Sequence, residues 1–112
     1  MKPDDRIRIR HIADALMSVA RFIQGRTQDD LGTDEMLLFA LVRAIEIVGE
    51  AANKVSAETR ERYPQIPWVA IIGMRHRLAH AYFDINHDIL WTTVTEAAPT
   101  LLAHIQKLLE SD

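Results

Sequence analysis

The segment Met36-Leu-Leu-Phe-Ala-Leu-Val-Arg-Ala-Ile-Glu-Ile-Val48 gives the strongest indication of the fold. With 3.6 residues per turn, an α-helix places these apolar side chains on almost every side. A helix of this kind packs against neighbours on more than one face. We therefore predict a central helix that begins after an N-cap at Thr33 and ends at about Lys54.

One strip of this helix is polar. It consists of Arg43, Glu46, Glu50 and Asn53 or Lys54, which are three and four residues apart. Residues at this spacing share one helical face. In one interpretation the strip is a solvent-exposed face stabilised by Arg43–Glu46 and Glu50–Lys54 ion pairs. In the other it lines a groove.

The segments on either side of the central helix are also helical in pattern. Apolar residues recur at steps of three and four from Ile9 to Ile23, and Gly25 ends that pattern. We predict a polar loop over residues 26–32 and one or two polar turns over residues 56–62. The prolines around residue 65 mark the clearest break in the chain.

A third helix is predicted from Pro67 to about Tyr82, because proline suits the first position of a helix. A fourth follows, capped by Asn86 or Asp84, and Pro99 should kink it or remove one hydrogen bond. The predicted architecture is all-α, an up-and-down bundle of four main helices plus a short helical turn, in one domain over residues 1–112.

Composition excludes several classes of function. The chain has 112 residues with 13 Lys+Arg against 16 Asp+Glu, a net charge of −3, so it lacks the basic coat of many nucleic-acid-binding proteins. It has no Cys, which excludes disulfides, Cys-ligated zinc and thiol nucleophiles. With neither a signal-peptide pattern nor a long apolar run, we expect a cytoplasmic protein that does not enter a membrane.

The third helix carries an arginine on its apolar arc. Trp68, Ile71, Ile72 and Leu78 share that arc with Arg75. A buried guanidinium is costly unless it is paired. Arg75 therefore either extends to solvent or pairs with Glu46 or Glu50, or it binds an anion such as a phosphate at an interface.

The histidines of this helix could suggest a metal site. His76 and His80 are four residues apart, a spacing that can hold a metal ion. However, Arg77 lies between them and no third ligand is evident, so we expect no metal and no cofactor. His11, His87 and His104 are interpreted as ordinary surface residues.

The combined motif has a specific resemblance. R-x4-H-x-Y at Arg75, His80 and Tyr82 follows W-x2-I-I-G-M and precedes F-D-I-N. This pattern resembles the HEPN superfamily and, more closely, the HepT-like toxins, over nearly the whole chain. The family usually has Asn after the motif arginine, where this chain has His76.

The resemblance implies a homodimer in which the motifs of both subunits meet in one cleft. It further implies a metal-independent endoribonuclease toxin that cleaves RNA by attack of the 2′-hydroxyl. Arg75 would bind the phosphate, His80 would be the acid/base, and His76 would support them. A partner minimal nucleotidyltransferase, the antitoxin, would adenylylate Tyr82.

Two other interpretations remain open. The chain could be a non-catalytic HEPN module that binds a nucleotide or a nucleotidyltransferase partner, as the His76 departure and the acidic net charge suggest. It could also be a purely structural helical bundle.

The spacing of the motif adds a geometric constraint. Residues five apart point about 140° away from each other on a straight helix, so one helix cannot easily direct Arg75 and His80 at one phosphate. Either the helix unwinds near His80, or a second copy of the chain completes the site.

Overall fold

A computed structural model describes residues 1–81 and 84–111, without the side chains of residues 79–81. The helices are α1 (Pro3–Phe22), α2 (Asp30–Thr33), α3 (Glu35–Lys54), α4 (Ala57–Arg62), α5 (Trp68–Leu78), α6 (His87–Thr92) and α7 (Ala98–Ser111). A π-helical turn, Thr93–Ala97, joins α6 to α7, and two short strands, β1 (Ala79–Ala81) and β2 (Asp84–Ile85), join α5 to α6. The predicted all-α class is confirmed.

Helices α1 and α3 form the centre of the structure. Helix α1 packs against α3 and α7, and α3 also packs against α5. The buried apolar side chains form one continuous cluster, whose largest fully buried members are Ile9, Ile12, Leu31, Leu41, Ile66, Leu78, Leu90 and Ile105. The prediction that α3 packs on more than one side is therefore confirmed.

The connection from α1 to α3 is more ordered than predicted. Helix α1 ends at Phe22, and Gly25, two residues after its C-cap Ile23, has a φ of 72°, a left-handed conformation that favours glycine. The predicted loop over residues 26–32 is wrong in its second half, where α2 begins at Asp30. The apolar side chain of Leu31, which is buried in the core, holds this short helix in place.

The N-cap of α3 is Asp34 and not Thr33, so that prediction is wrong. The Asp34 carboxylate accepts a hydrogen bond from the Leu37 N–H at 3.1 Å. Arg26 donates a second, from Nη2, at 2.7 Å. A carboxylate is favoured at this position because it accepts hydrogen bonds both from the free N–H groups of the first helical turn and from the Arg26 guanidinium. The Arg26 hydrogen bond holds the pKa of Asp34 below its ordinary value.

A buried carboxylate joins the start of α1 to α4. Asp5 accepts hydrogen bonds from the Ser56 N–H at 2.9 Å and from the Ser56 and Thr59 hydroxyls at 2.6 Å each. Burial alone would raise the pKa of Asp5, but these hydrogen bonds outweigh it and lower that pKa below its ordinary value. The predicted polar turn over residues 56–62 thus forms α4, tied to α1.

The fourth predicted helix begins at the expected cap. Asn86 accepts a hydrogen bond from the Ile89 N–H at 3.0 Å, which confirms Asn86 over Asp84. Pro99 lies just after the π-helical turn. Its missing N–H and its ring disrupt an α-helical hydrogen-bond ladder, and the wider π turn accommodates that disruption.

Candidate functional site

Arg75 lies in a shallow groove between α3 and α5. The groove has a volume of about 190 Å³ and is lined by Glu46, Gly49, Glu50, Asn53, Ile72, Arg75 and His76. We call this the α3–α5 groove. Two of the sequence-predicted site residues, Arg75 and His76, are thus brought together in it.

The two helices approach closely beneath this groove at Gly49. A Cβ atom added to Gly49 would lie 3.3 Å from the carbonyl oxygen of Ile71, a contact tighter than most in proteins. Glycine therefore lets the backbones of α3 and α5 come together at this point. This close approach is to the first half of α5, and Arg75 follows one turn later.

The placement of Arg75 combines two of the alternatives that the helical pattern left open, exposure to solvent and an ion pair with Glu46. Its side chain is 64% exposed, although its position falls on the apolar arc with Trp68 and Leu78. The long side chain extends across the polar strip of α3 and reaches solvent. Its Nε atom lies 3.8 Å from Oε2 of Glu46, one of the two ion-pair partners considered.

The polar strip of α3 fits both interpretations made from sequence. It is open to solvent, and it also lines the α3–α5 groove. The predicted Arg43–Glu46 pair is confirmed, with Nη1 of Arg43 3.5 Å from Oε2 of Glu46. The same Nη1 atom donates a hydrogen bond to Glu50 at 3.2 Å, so Glu50 pairs with Arg43.

The neighbouring cation Arg77 belongs to a different part of the surface. Its Nη2 atom donates a hydrogen bond to the carbonyl oxygen of Ala70 at 3.2 Å. It lines an apolar cavity with Pro67 and Met74, on another side of α5 from the α3–α5 groove. Arg75 and Arg77 therefore have separate environments despite their proximity in sequence.

The helix ends before His80, so the predicted extension to about Tyr82 is wrong. Helix α5 stops at Leu78, whose carbonyl oxygen accepts a hydrogen bond from the Asn86 N–H at 2.8 Å. Strand β1 then pairs with β2 in an antiparallel hairpin, with Ala79 opposite Ile85 and Ala81 opposite Asp84. The hairpin takes over the backbone hydrogen bonds that a longer helix would have made.

His80 lies at an irregularity of this hairpin. The pairing register shifts between Ala79 and Ala81, the residues that flank it, as in a β-bulge. Bulges are frequent beside active sites, where they change the direction of a side chain. The backbone at His80 does not continue the α5 helix. Of the two alternatives offered for the five-residue spacing of Arg75 and His80, the structure thus shows the first, a helix that unwinds near His80. Tyr82, the predicted modification site, lies outside the described residues.

Five groove residues, three of them Glu46, Gly49 and Asn53, were not singled out as site residues from the sequence. Glu46, Gly49 and Asn53 line the groove beside Arg75. The signal available was the polar strip on an otherwise apolar helix, but only the packing of α5 shows which side of α3 faces Arg75. Among the side chains that the structure describes, no group of three His, Asp or Glu could hold a metal ion.

Comparison with known proteins now identifies the class. The family model "Ribonuclease HepT-like" matches residues 12–108. The chain therefore belongs to the HepT-like ribonuclease family, as its R-x4-H-x-Y motif indicated.

Two curated relatives match over almost their whole length. The chain is 34% identical to "Probable ribonuclease HepT" of Thermococcus cleftensis over 108 residues, 96% of this chain and 98% of that protein. It is 33% identical over 104 residues to a protein of Caldanaerobacter subterraneus subsp. tengcongensis named as a candidate RNase, covering 93% of each. No solved structure matches the chain significantly. Within the described residues, no helix is long and apolar enough to cross a membrane.

Proposed function

We propose that this protein is a metal-independent endoribonuclease, the toxin of a toxin–antitoxin pair. The observation that carries the proposal is the position of Arg75, an exposed guanidinium in the α3–α5 groove, one turn before the helix end that leads to His80. Family membership supports RNA as the substrate. Arginine suits phosphate, because its planar guanidinium binds oxyanions through paired N–H donors.

In the proposed reaction, an RNA 2′-hydroxyl attacks the adjacent phosphorus. His80 accepts the proton of that hydroxyl as the new O2′–P bond forms, and Arg75 stabilises the charge on the phosphate oxygens. The P–O5′ bond breaks, and a protonated imidazole gives the leaving O5′ its proton. The products are a 2′,3′-cyclic phosphate and a 5′-hydroxyl, and His76 assists from the groove.

We also propose that two copies of the chain build this site, each as one domain. The two helices that form the groove also carry exposed apolar side chains: Val69 on α5 is 86% exposed, and Met36 and Phe39 on α3 are 83% and 53% exposed. Met36 and Phe39 share a helical face with Arg43 and Glu46. A two-fold interface over this face would bring two Arg75 side chains together and provide one imidazole as base and another as acid.

The proposed regulation is adenylylation of Tyr82 by a partner minimal nucleotidyltransferase, the antitoxin. Incubation of the protein with that partner and ATP should add AMP to the wild type and not to Tyr82→Phe. Equal labelling of both proteins would remove Tyr82 from the account.

A second candidate function is a non-catalytic module that binds a nucleotide or the nucleotidyltransferase. The two carboxylates of the groove and the net charge of −3 favour the protein-binding form of this module, because both oppose the binding of an anion such as RNA. One gel assay separates the two functions: the module would bind its partner and leave RNA uncut, whereas the toxin would cleave RNA in the presence of EDTA.

A further inference from the structure

Two carboxylates line the groove that we propose for an RNA phosphate. Glu46 and Glu50 both lie there with Arg75. A carboxylate repels a phosphate, so each of them weakens the binding of RNA. Exposed ion pairs also contribute little to stability. The presence of Glu46 beside Arg75 therefore needs another explanation.

The contacts of Glu46 show what it does to Arg75. Its Oε2 atom lies 3.8 Å from Nε of Arg75 and 3.5 Å from Nη1 of Arg43. The Glu46 side chain is only 24% exposed, whereas Arg75 is 64% exposed. The carboxylate is thus the more buried partner, and it also contacts Arg43, whose Nη1 atom donates a hydrogen bond to Glu50.

The contact at Nε leaves the terminal nitrogens of Arg75 available. Among the hydrogen bonds and ion pairs of residues 1–81 and 84–111, neither Nη atom of Arg75 has a partner. Two parallel N–H donors of a guanidinium form the bidentate contact that suits phosphate. The ion-pair contact with Glu46 is on the Nε side of the guanidinium, so both Nη atoms face away from the carboxylate and are open to a phosphate.

We propose that Glu46 is a positioning residue for Arg75. It restrains the guanidinium through Nε, so that the terminal nitrogens are held ready for a phosphate before RNA arrives. The cost is weaker binding of the substrate, and the gain is a better oriented transition state. This inference rests on the proposed function in one respect, the role of Arg75 in binding phosphate.

Glu50 provides a matched control. It has the same charge in the same groove, but its hydrogen bond is to Arg43 and not to Arg75. Glu46→Gln and Glu50→Gln should both lower KM for a single-stranded RNA, because each removes a negative charge. Only Glu46→Gln should also lower kcat, by about tenfold, because a misdirected guanidinium stabilises the transition state less well. Glu46→Asp keeps the negative charge, but its shorter side chain moves the carboxylate away from Arg75. We therefore expect kcat to fall while KM stays near that of the wild type.

A second readout does not depend on activity. The Nε–Hε signal of Arg75 in a ¹⁵N–¹H NMR spectrum, assigned by its loss in Arg75→Lys, should move in Glu46→Gln and stay in place in Glu50→Gln. Equal kcat for the two variants, or an unmoved Arg75 signal in Glu46→Gln, would overturn the positioning role. If the wild type cleaves no RNA, the proposed function fails, and the NMR comparison alone decides whether Glu46 restrains Arg75.

Discussion

The Nε atom of Arg75 lies 3.8 Å from Oε2 of Glu46, across the groove between α3 and α5. This contact joins the polar strip of the central helix to the arginine of the R-x4-H-x-Y motif. Both features are evident in the sequence, but separately. Their contact makes the α3–α5 groove a candidate functional site.

The close approach of α3 and α5 predicts opposite effects for two glycines. Gly73→Ala should stabilise the protein by about 0.5–1 kcal/mol, because alanine is the better helix former and no atom lies within 4 Å of the new Cβ. Gly49→Ala should destabilise it by about 1 kcal/mol, because its Cβ would press on the Ile71 carbonyl at 3.3 Å. Urea unfolding followed by circular dichroism measures both. Equal stabilisation by the two substitutions would show that the helices can separate without cost.

The N-cap of α3 predicts a difference between two adjacent residues. Asp34→Ala should cost about 1–2 kcal/mol of unfolding free energy, because it removes the cap of Leu37 and the partner of Arg26. Thr33→Ala is the control, since the Thr33 side chain does not cap α3. Thermal unfolding of both variants decides the point. A larger loss of unfolding free energy in Thr33→Ala than in Asp34→Ala would show that Thr33 is the N-cap, as the sequence predicted.

The buried Asp5 predicts a pH-dependent contribution to stability. Asp5→Ala should cost about 2–3 kcal/mol at neutral pH, because hydrogen bonds to a charged group are lost. The pKa of Asp5 is lower in the folded protein than its ordinary value. The contribution is therefore complete above the unfolded value of about 4 and declines as the pH falls through the folded value.

The control for Asp5 is its exposed neighbour Asp4, which lies in the same first turn of α1. Asp4→Ala should change the unfolding free energy far less at every pH. Urea titrations at several pH values should show the deficit of Asp5→Ala shrinking in acid. A deficit that stays constant down to acidic pH would mean that the charge of Asp5 is not what stabilises the fold.

The departure at His76 yields a prediction about catalysis. His76 lines the α3–α5 groove beside Arg75, where the family pattern usually has Asn. His76→Asn should keep RNA cleavage within a few-fold of the wild type, because an amide can also donate a hydrogen bond to a phosphate. Complete loss of cleavage in His76→Asn, with the fold intact by circular dichroism, would contradict this prediction and show that the imidazole of His76 is required.

Periodicity predicted most of the fold. The helices α1, α3 and α4 and the Asn86 cap follow from local signals: repeats at three and four residues, Gly25, the two prolines and capping side chains. The end of α5 could not be predicted in this way. The sequence through Tyr82 is compatible with a helix, and only the pairing of residues 79–81 with residues 84–85 ends it at Leu78.

The candidate site, too, is only partly evident from the sequence, because part of it depends on how the helices pack. The motif predicts Arg75, His80 and Tyr82 as site residues with His76 in support, because residue types at fixed spacing are visible in a sequence. The sequence left exposure of Arg75 as one of several alternatives, since a helical wheel shows which arc a residue occupies and not which side chains the facing helix places beside it. Here the facing helix offers Glu46 and Gly49, and the long side chain extends past them to solvent.

The most direct test of the central claim is cleavage of a single-stranded RNA in the presence of EDTA. The wild type should cut the RNA and leave 2′,3′-cyclic phosphate ends, and Arg75→Ala and His80→Ala should each reduce the rate at least about a hundredfold. Arg77→Ala is the control: it removes the same charge from the same helix but lies outside the α3–α5 groove, so its rate should stay close to that of the wild type. Cleavage that stops in EDTA, or that persists in both Arg75→Ala and His80→Ala, would contradict the account.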